Sequence, residues 1–296
     1  MTEQISKFTL GTVQLGMNYG MANKTGQPST EQAFAILDAA AENGVTSLDT
    51  AVAYGTSEEV IGKYLAQSQN RFFITSKFKL AGKDDPLAEF EQQKNLTKEH
   101  LGKVNMYFYH DAHQMRAYGS LLREPMERMK EEGLTSMVGA SVYEVEDIED
   151  FLKCEWLQGI QVPMNILDNR IVESGLLEEL KKRGVLVFVR SVFLQGLLCM
   201  DTVPERFEFL GPYVEELRDI AKSENMSLRE MSVAYIRDLP GITSLALGCE
   251  TAGQVKENAA LIGVKAISPA GTDAIRALGK RVPIQEAMDR ILGLSL

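Results

Sequence analysis

The stretch TSLDTAVAYGTSEEVIGKYL, Thr46 to Leu65, holds one complete structural unit: a short run fit for a strand, a polar loop, and a segment with helical spacing. Residues 46–50 read as the strand, and Ser57 stands where an N-cap for EEVIGKYLAQ is expected. The same unit recurs from one end of the chain to the other. Strands are predicted at Phe8–Val13, Thr46–Thr50, Phe72–Lys77, Asn105–His110, Ser136–Ser141, Ile160–Met164, Leu186–Arg190 and Ser244–Gly248. Between them, Ser29 with Gln32 forms a candidate capping box ahead of AFAILDAAAENG, which Gly44 closes. Helices are further expected at Gly119–Gly133, Glu144–Cys154, Gly175–Gly184 and Thr251–Gly263. Gly211–Asp238 is long for one helix and is expected to break near Asn225–Ser227; Ser268–Ala287 adds a helix after the eighth unit.

Eight such units in 296 residues fit an α/β fold of a single closed (β/α)8 TIM barrel with an additional C-terminal helix, one domain over residues 1–296. The G-x-G-x-x-G fingerprint of an open Rossmann sheet is absent between the first strand and helix. With 45% hydrophobic and 24% charged residues the composition is that of a soluble globular protein. A net charge of −10 argues against a nucleic-acid or anionic-membrane surface. The opening MTEQISKFTLG has no basic region followed by an apolar stretch, and no apolar run approaches a bilayer span, so a cytoplasmic protein is expected. The cysteines Cys154, Cys199 and Cys249 lack any C-x-x-C spacing; they predict reduced structural thiols and no metal site. Oligomeric state is not legible.

Chemistry in a barrel belongs at the C-terminal ends of the strands. There the sequence gathers Asp49 after the second strand, Tyr54 in its loop, Lys77 ending the third and His110 ending the fourth. A tyrosine hydroxyl titrates near pH 10, and a lysine ammonium in hydrogen-bonding range favours the phenolate and lowers that value. An aspartate fixes and compensates the lysine. Such a chain donates a proton to a carbonyl oxygen, or accepts one in reverse, while His110 holds the oxygen from a second side. His100 and His113 read as structural or surface residues.

At these positions the sequence resembles the aldo-keto reductase family. LDTAVAYGTSEEVIGKYL is similar to that family's signature around its aspartate and tyrosine, and ITSKF and MYFYHDA to its lysine and histidine segments. The resemblance runs from LGTVQLG at Leu10–Gly16 to QVKENAALIG at Gln254–Gly263. It implies that Asp49, Tyr54, Lys77 and His110 are a catalytic tetrad with Tyr54 as proton donor, and that a nicotinamide dinucleotide lies extended across the barrel mouth. By the same resemblance, Gly11, Thr12 and Val13 touch the nicotinamide half together with Asp49. Ser141 and Gln161 hold the carboxamide, though Val142 stands where an asparagine usually follows the serine. Arg190 takes the place of the ring that stacks on nicotinamide, and Ser191, Leu194 and Gly196 hold the pyrophosphate. Gly248, Glu250, Gln254, Glu257 and Asn258 lie toward the adenosine.

NADP(H) is the family default. NAD(H) stays open because LGCETAGQVKEN offers Glu250 and Gln254 near the positions where a 2′-phosphate calls for Lys or Arg, with Lys256 its one cation. The expected substrate is a small or sugar-like carbonyl, with Gln195–Tyr213 and Arg281–Leu296 as specificity elements. Three other readings stand beside a carbonyl reductase: a sugar or polyol dehydrogenase working oxidatively with NAD, a slow nucleotide-binding redox-sensing subunit, and a cofactor-free barrel lyase.

Overall fold

The computed structural model of the chain describes residues 5–20, 23, 26–82 and 84–292, the last without its side chain. The first four residues and residues 293–296 of the expected specificity tail lie outside them. Eight parallel strands close into a barrel in sequence order: β1 (Phe8–Gly11), β2 (Ser47–Asp49), β3 (Phe73–Phe78), β4 (Met106–Tyr109), β5 (Met137–Ser141), β6 (Gly159–Pro163), β7 (Leu186–Arg190) and β8 (Ile242–Gly248), with β8 pairing back onto β1. The helices are α1 (Val13–Gly16), α2 (Thr30–Glu42), α3 (Ser57–Gln67), α4 (Pro86–Leu101), α5 (Ala112–Glu131), α6 (Val145–Lys153), α7 (Arg170–Glu173), α8 (Leu176–Lys182), α9 (Gly211–Ser223), α10 (Leu228–Arg237), α11 (Ala252–Ile262), α12 (Pro269–Gly279) and α13 (Ile284–Leu292). Two 3-10 segments, Leu194–Cys199 and Glu205–Leu210, follow β7. Among the described residues no helix is long and apolar enough to cross a membrane.

Several local expectations hold for physical reasons the structure makes visible. Ser29 and Gln32 form the reciprocal capping box of α2, and Gly44 takes a φ of +72° just beyond its end. The long segment breaks where expected, with Asn225 at φ +52° between α9 and α10. Others need correction. Thr56, not Ser57, precedes α3 at its N-cap; Ser57 is the first helical residue and its hydroxyl turns inward to Thr12. The helix expected from Gly119 starts at Ala112, because Asp111 accepts a hydrogen bond from the Gln114 amide and caps it seven residues earlier. Ser268–Ala287 is two helices, α12 and α13, separated around Pro283, whose ring cannot continue α12.

Period-two geometry decides what faces the barrel axis. Below the mouth, Phe73, Met106, Phe108 and Phe188 fill the interior as a small apolar plug. Gly159 makes room for it: a Cβ there would stand 2.1 Å from Met106 Cε and 2.9 Å from Phe108 Cζ. In register with the plug's Phe73 and Phe188, Ser47 and Ser244 each share a short hydrogen bond of 2.7 Å with Thr9, a buried hydroxyl cluster. Asp49 pairs in register with Thr75, so Lys77, two residues on, points the same way into the barrel.

The loop that carries Tyr54 is fixed by close backbone approach. Tyr54 N–H returns to Ala51 O at 3.0 Å, and Thr56 N–H donates to Gly16 O at 3.2 Å. Gly55 sits at φ +58°, and a Cβ on Gly16 would lie 1.8 Å from Tyr54 O. Gly16→Ala is therefore expected to push the Tyr54 loop off α1 and destabilise the protein by about 1–3 kcal/mol, the usual cost of overpacking. Urea unfolding measures this; an unchanged midpoint contradicts the assigned contact.

Candidate active site

A cleft of about 920 Å³ opens at the C-terminal ends of the strands, and every catalytic and nucleotide candidate named from the sequence lines it. At its inner end Lys77 is almost wholly buried, 1% exposed, and its Nζ lies 2.7 and 2.8 Å from the two Asp49 carboxylate oxygens, 3.0 Å from Thr50 O and 3.3 Å from Tyr54 Oη. One ammonium thus ties the acid to the phenol. The Tyr54 and His110 rings meet edge to face, centroids 5.9 Å apart, so phenol and imidazole share one side of the cleft.

The acid is braced from two further directions. Gln161 donates from Nε2 to Asp49 Oδ1 at 2.8 Å, reaching across the barrel from β6. Thr12 donates from both its backbone N–H and its hydroxyl to Asp49 O, at 3.0 and 2.8 Å, and Ser57 in turn donates to Thr12. The carboxylate and its peptide are both held before any ligand arrives. Behind β3, Glu58 is buried and accepts from Ser76 at 2.5 Å and Thr97 at 2.9 Å, locking α3 and α4 against the strand that bears Lys77.

Electrostatics departs from the simple expectation for Tyr54. Burial raises the hydroxyl above its ordinary value; Lys77 pulls it down, Asp49 opposes Lys77, and the net direction is up. The phenol is held protonated at neutral pH, the form a proton donor needs. For Lys77 burial alone favours the neutral amine, but Asp49 and Tyr54 outweigh it and keep the ammonium above its usual value. Burial, with the charges of Lys77, Lys79 and Arg190, pushes His110 down to about 3. His110 is therefore a neutral imidazole. Its Nδ1 is buried with no partner among the described residues.

The rest of the cleft departs from expectation in instructive places. Leu194 N–H and Gly196 N–H, assigned to a pyrophosphate, donate instead to Ser191 O and Phe193 O. That segment carries Ser191, Leu194, Gln195 and Gly196 at positive φ, a strained loop whose Ser191 side chain still lines the cleft. The Gln14 amide packs directly on Gly248: a Cβ there would stand 2.5 Å from Gln14 Nε2 and displace that side chain. Lys256 is exposed and does not line the cleft; the cation that does so at this end is Arg229 on α10. It donates to Glu257 Oε2 at 3.3 Å and Asn258 Oδ1 at 3.1 Å. Gln254 Oε1 accepts from Glu250 N–H at 2.7 Å. Gln14, Tyr19, Tyr143 and Arg229 are lining residues that sequence reasoning missed, while Met288 and Ile291 bring the expected specificity tail Arg281–Leu296 to the cleft. None of the missed residues carried a signal in the linear sequence; Arg229 reaches the segment around Glu257 and Asn258 through the packing of α10 on α11.

A model of the aldo/keto reductase family matches residues 7–280. The chain belongs to the aldo/keto reductase family. As a member it is an NAD(P)H-dependent oxidoreductase. It is 25% identical over 278 residues, 86% of both chains, to an uncharacterized oxidoreductase, YqkF, of Bacillus subtilis. It is 26% identical over 275 residues to the glyoxal reductase of the same organism, covering 91% of this chain and 90% of that one. An aldo-keto reductase of Bacillus halodurans in its holo form superposes with a TM-score of 0.77 at 22% identity, over 93% of this chain and 92% of that chain, a likeness of fold.

A neutral His110 sets a sign for acid stability. The unfolded chain binds a proton near pH 6.5 that the folded imidazole takes up only near 3, so His110 lowers stability as pH falls through that window. Its imidazole resonance, identified by its loss in His110→Gln, is expected to stay flat between about pH 5 and 8, where a free imidazole titrates. A midpoint inside that range contradicts the burial argument.

Proposed function

We propose that the protein reduces small or sugar-like carbonyl compounds to alcohols with Tyr54 as the proton donor. The observation that carries this reading is the buried Lys77 ammonium joined at once to Asp49 and to the Tyr54 hydroxyl, inside a cleft that also holds a neutral His110. His110 donates Nε2–H to the carbonyl oxygen, so the oxygen is held and polarised before reaction. Tyr54 then delivers its proton to that oxygen, and the ammonium of Lys77, balanced by Asp49, stabilises the phenolate left behind. A reduced nicotinamide bound in the cleft would supply the two electrons as hydride to the carbonyl carbon. Bulk water restores the phenolic proton. The relative named glyoxal reductase supports a small substrate.

The cleft's residues fit a dinucleotide. Its far end presents polar groups with open valence, Gln14 Oε1 and Arg229 Nε, both buried without a partner among the described residues. Ser141 and Gln161, adjacent in register on β5 and β6, would hold the carboxamide; Gly11, Thr12 and Val13 would flank the nicotinamide. Ser191, Leu194 and Gly196 would border the pyrophosphate, and Gly248, Glu250, Gln254, Glu257 and Asn258 the adenosine. The ribose end carries Glu250 and Glu257, while Arg229 is already engaged by Glu257 and Asn258. A ribose diol finds acceptors there and a 2′-phosphate dianion meets carboxylates, which favours NADH.

Tyr54→Phe is expected to cut the rate of aldehyde reduction roughly 10²–10⁴-fold, the range for loss of a general acid. Titration followed by nucleotide fluorescence should show the variant still binding, with NADH tighter than NADPH. Reduction by Tyr54→Phe at the wild-type rate removes Tyr54 from the role given to it, and tighter NADPH reverses the nucleotide assignment.

A further inference from the structure

Among the described residues three cationic side chains line the cleft: Lys77, Arg190 and Arg229. Lys77 is balanced by Asp49 and Arg229 by Glu257. Arg190 has no counter-ion among the described residues. It ends β7, passes over Pro163 of β6, its register partner, and donates from Nη2 to Val142 O at 2.9 Å. One face of its guanidinium is covered by the Tyr143 ring, Cζ 4.1 Å from the centroid. The stack and the single carbonyl fix the plane and leave the other N–H groups without an acceptor.

This unpaired charge stands at the catalytic end. It acts on both Tyr54 and His110, and the charges felt at His110, from Lys77, Lys79 and Arg190, are all positive. In a chain of net charge −10 the reacting end of the cleft is locally electropositive. A half-buried guanidinium with open donors is a site for an anion, and its planar fork suits a carboxylate or phosphate. Cleft walls of low dielectric concentrate that field on whatever enters.

We propose that the substrate is a carbonyl compound bearing an oxyanion, a carboxylate or a phosphate ester a few bonds from the reacting carbonyl, and that Arg190, set in place by Tyr143 and Val142, binds it. The inference rests on the oxidoreductase reading and narrows its substrate class. Tyr54 and His110 hold the carbonyl oxygen while Arg190 holds the anion, so two points of the substrate are fixed.

The test compares kcat/KM for charged and neutral partners: succinic semialdehyde against butanal, and glyceraldehyde 3-phosphate against glyceraldehyde. The two pairs separate carboxylate from phosphate. At least one anionic partner is expected to be favoured roughly tenfold or more, the worth of a charge-assisted hydrogen bond. In Arg190→Gln that ratio should collapse toward one, through KM more than kcat. Wild-type enzyme supplies a check free of any folding defect: raising ionic strength from about 0.02 to 0.5 M should lower kcat/KM for the anionic partner and spare the neutral one. Equal kcat/KM within both pairs, or a preference that survives Arg190→Gln, overturns the proposal. So does a loss of nucleotide affinity in Arg190→Gln with the ratio intact, which assigns Arg190 to the pyrophosphate. Failure of wild-type protein to bind either nucleotide and to turn over any aldehyde is a different result: it sinks the oxidoreductase reading and the inference with it.

Discussion

The site depends on one interaction, the buried pairing of Lys77 with Asp49. An ammonium with 1% exposure inside a barrel is costly, and only a carboxylate held in matching geometry offsets that cost. Removing either partner leaves an unpaired buried charge, typically worth about 3–5 kcal/mol of destabilisation. The surrounding scaffold is arranged to keep the pair intact: Gln161 on one carboxylate oxygen, Thr12 on the Asp49 peptide, Thr50 O on the ammonium. In the proposed reaction its value lies in what it does to the phenol beside it, since the same ammonium that balances Asp49 would stabilise the charge left on Tyr54.

Charge is distributed along the cleft in a way that matches two different jobs. At the end lined by the Glu250 and Glu257 carboxylates, the Arg229 guanidinium is engaged by Glu257 and Asn258. At the reacting end a neutral imidazole, a protonated phenol and an unpaired guanidinium face the same space. The first arrangement suits a sugar hydroxyl; the second suits an oxygen that becomes more negative as reduction proceeds.

The barrel and the gathering of Asp49, Tyr54, Lys77 and His110 at its mouth were legible in the sequence because both follow local rules. Strand periodicity marks β2, β3 and β4, and the C-terminal end of each carries or leads into its polar residue at Asp49, Lys77 and His110. What escaped depends on packing between distant segments. Arg229 meets Glu257 and Asn258 only because α10 packs on α11, so LGCETAGQVKEN read alone shows no cation but Lys256. The stack of Arg190 on Tyr143 bridges β5 and β7 across β6, a relation no linear motif records. The net rise at Tyr54 escaped for a similar reason: the lysine was visible in the sequence, and the burial that outweighs it was not. Ser57 misled because its type suits a cap, while Thr12, forty-five residues earlier, competes for its hydroxyl.

A double-mutant cycle on kcat for aldehyde reduction, combining Asp49→Asn with Lys77→Met, tests most directly whether the pair works as one unit on Tyr54. If it does, the double variant is no slower than Lys77→Met alone to within about threefold, because the second change removes a partner that no longer has one. Losses that multiply, each substitution costing its full factor in the presence of the other, contradict the account and give Asp49 and Lys77 separate roles.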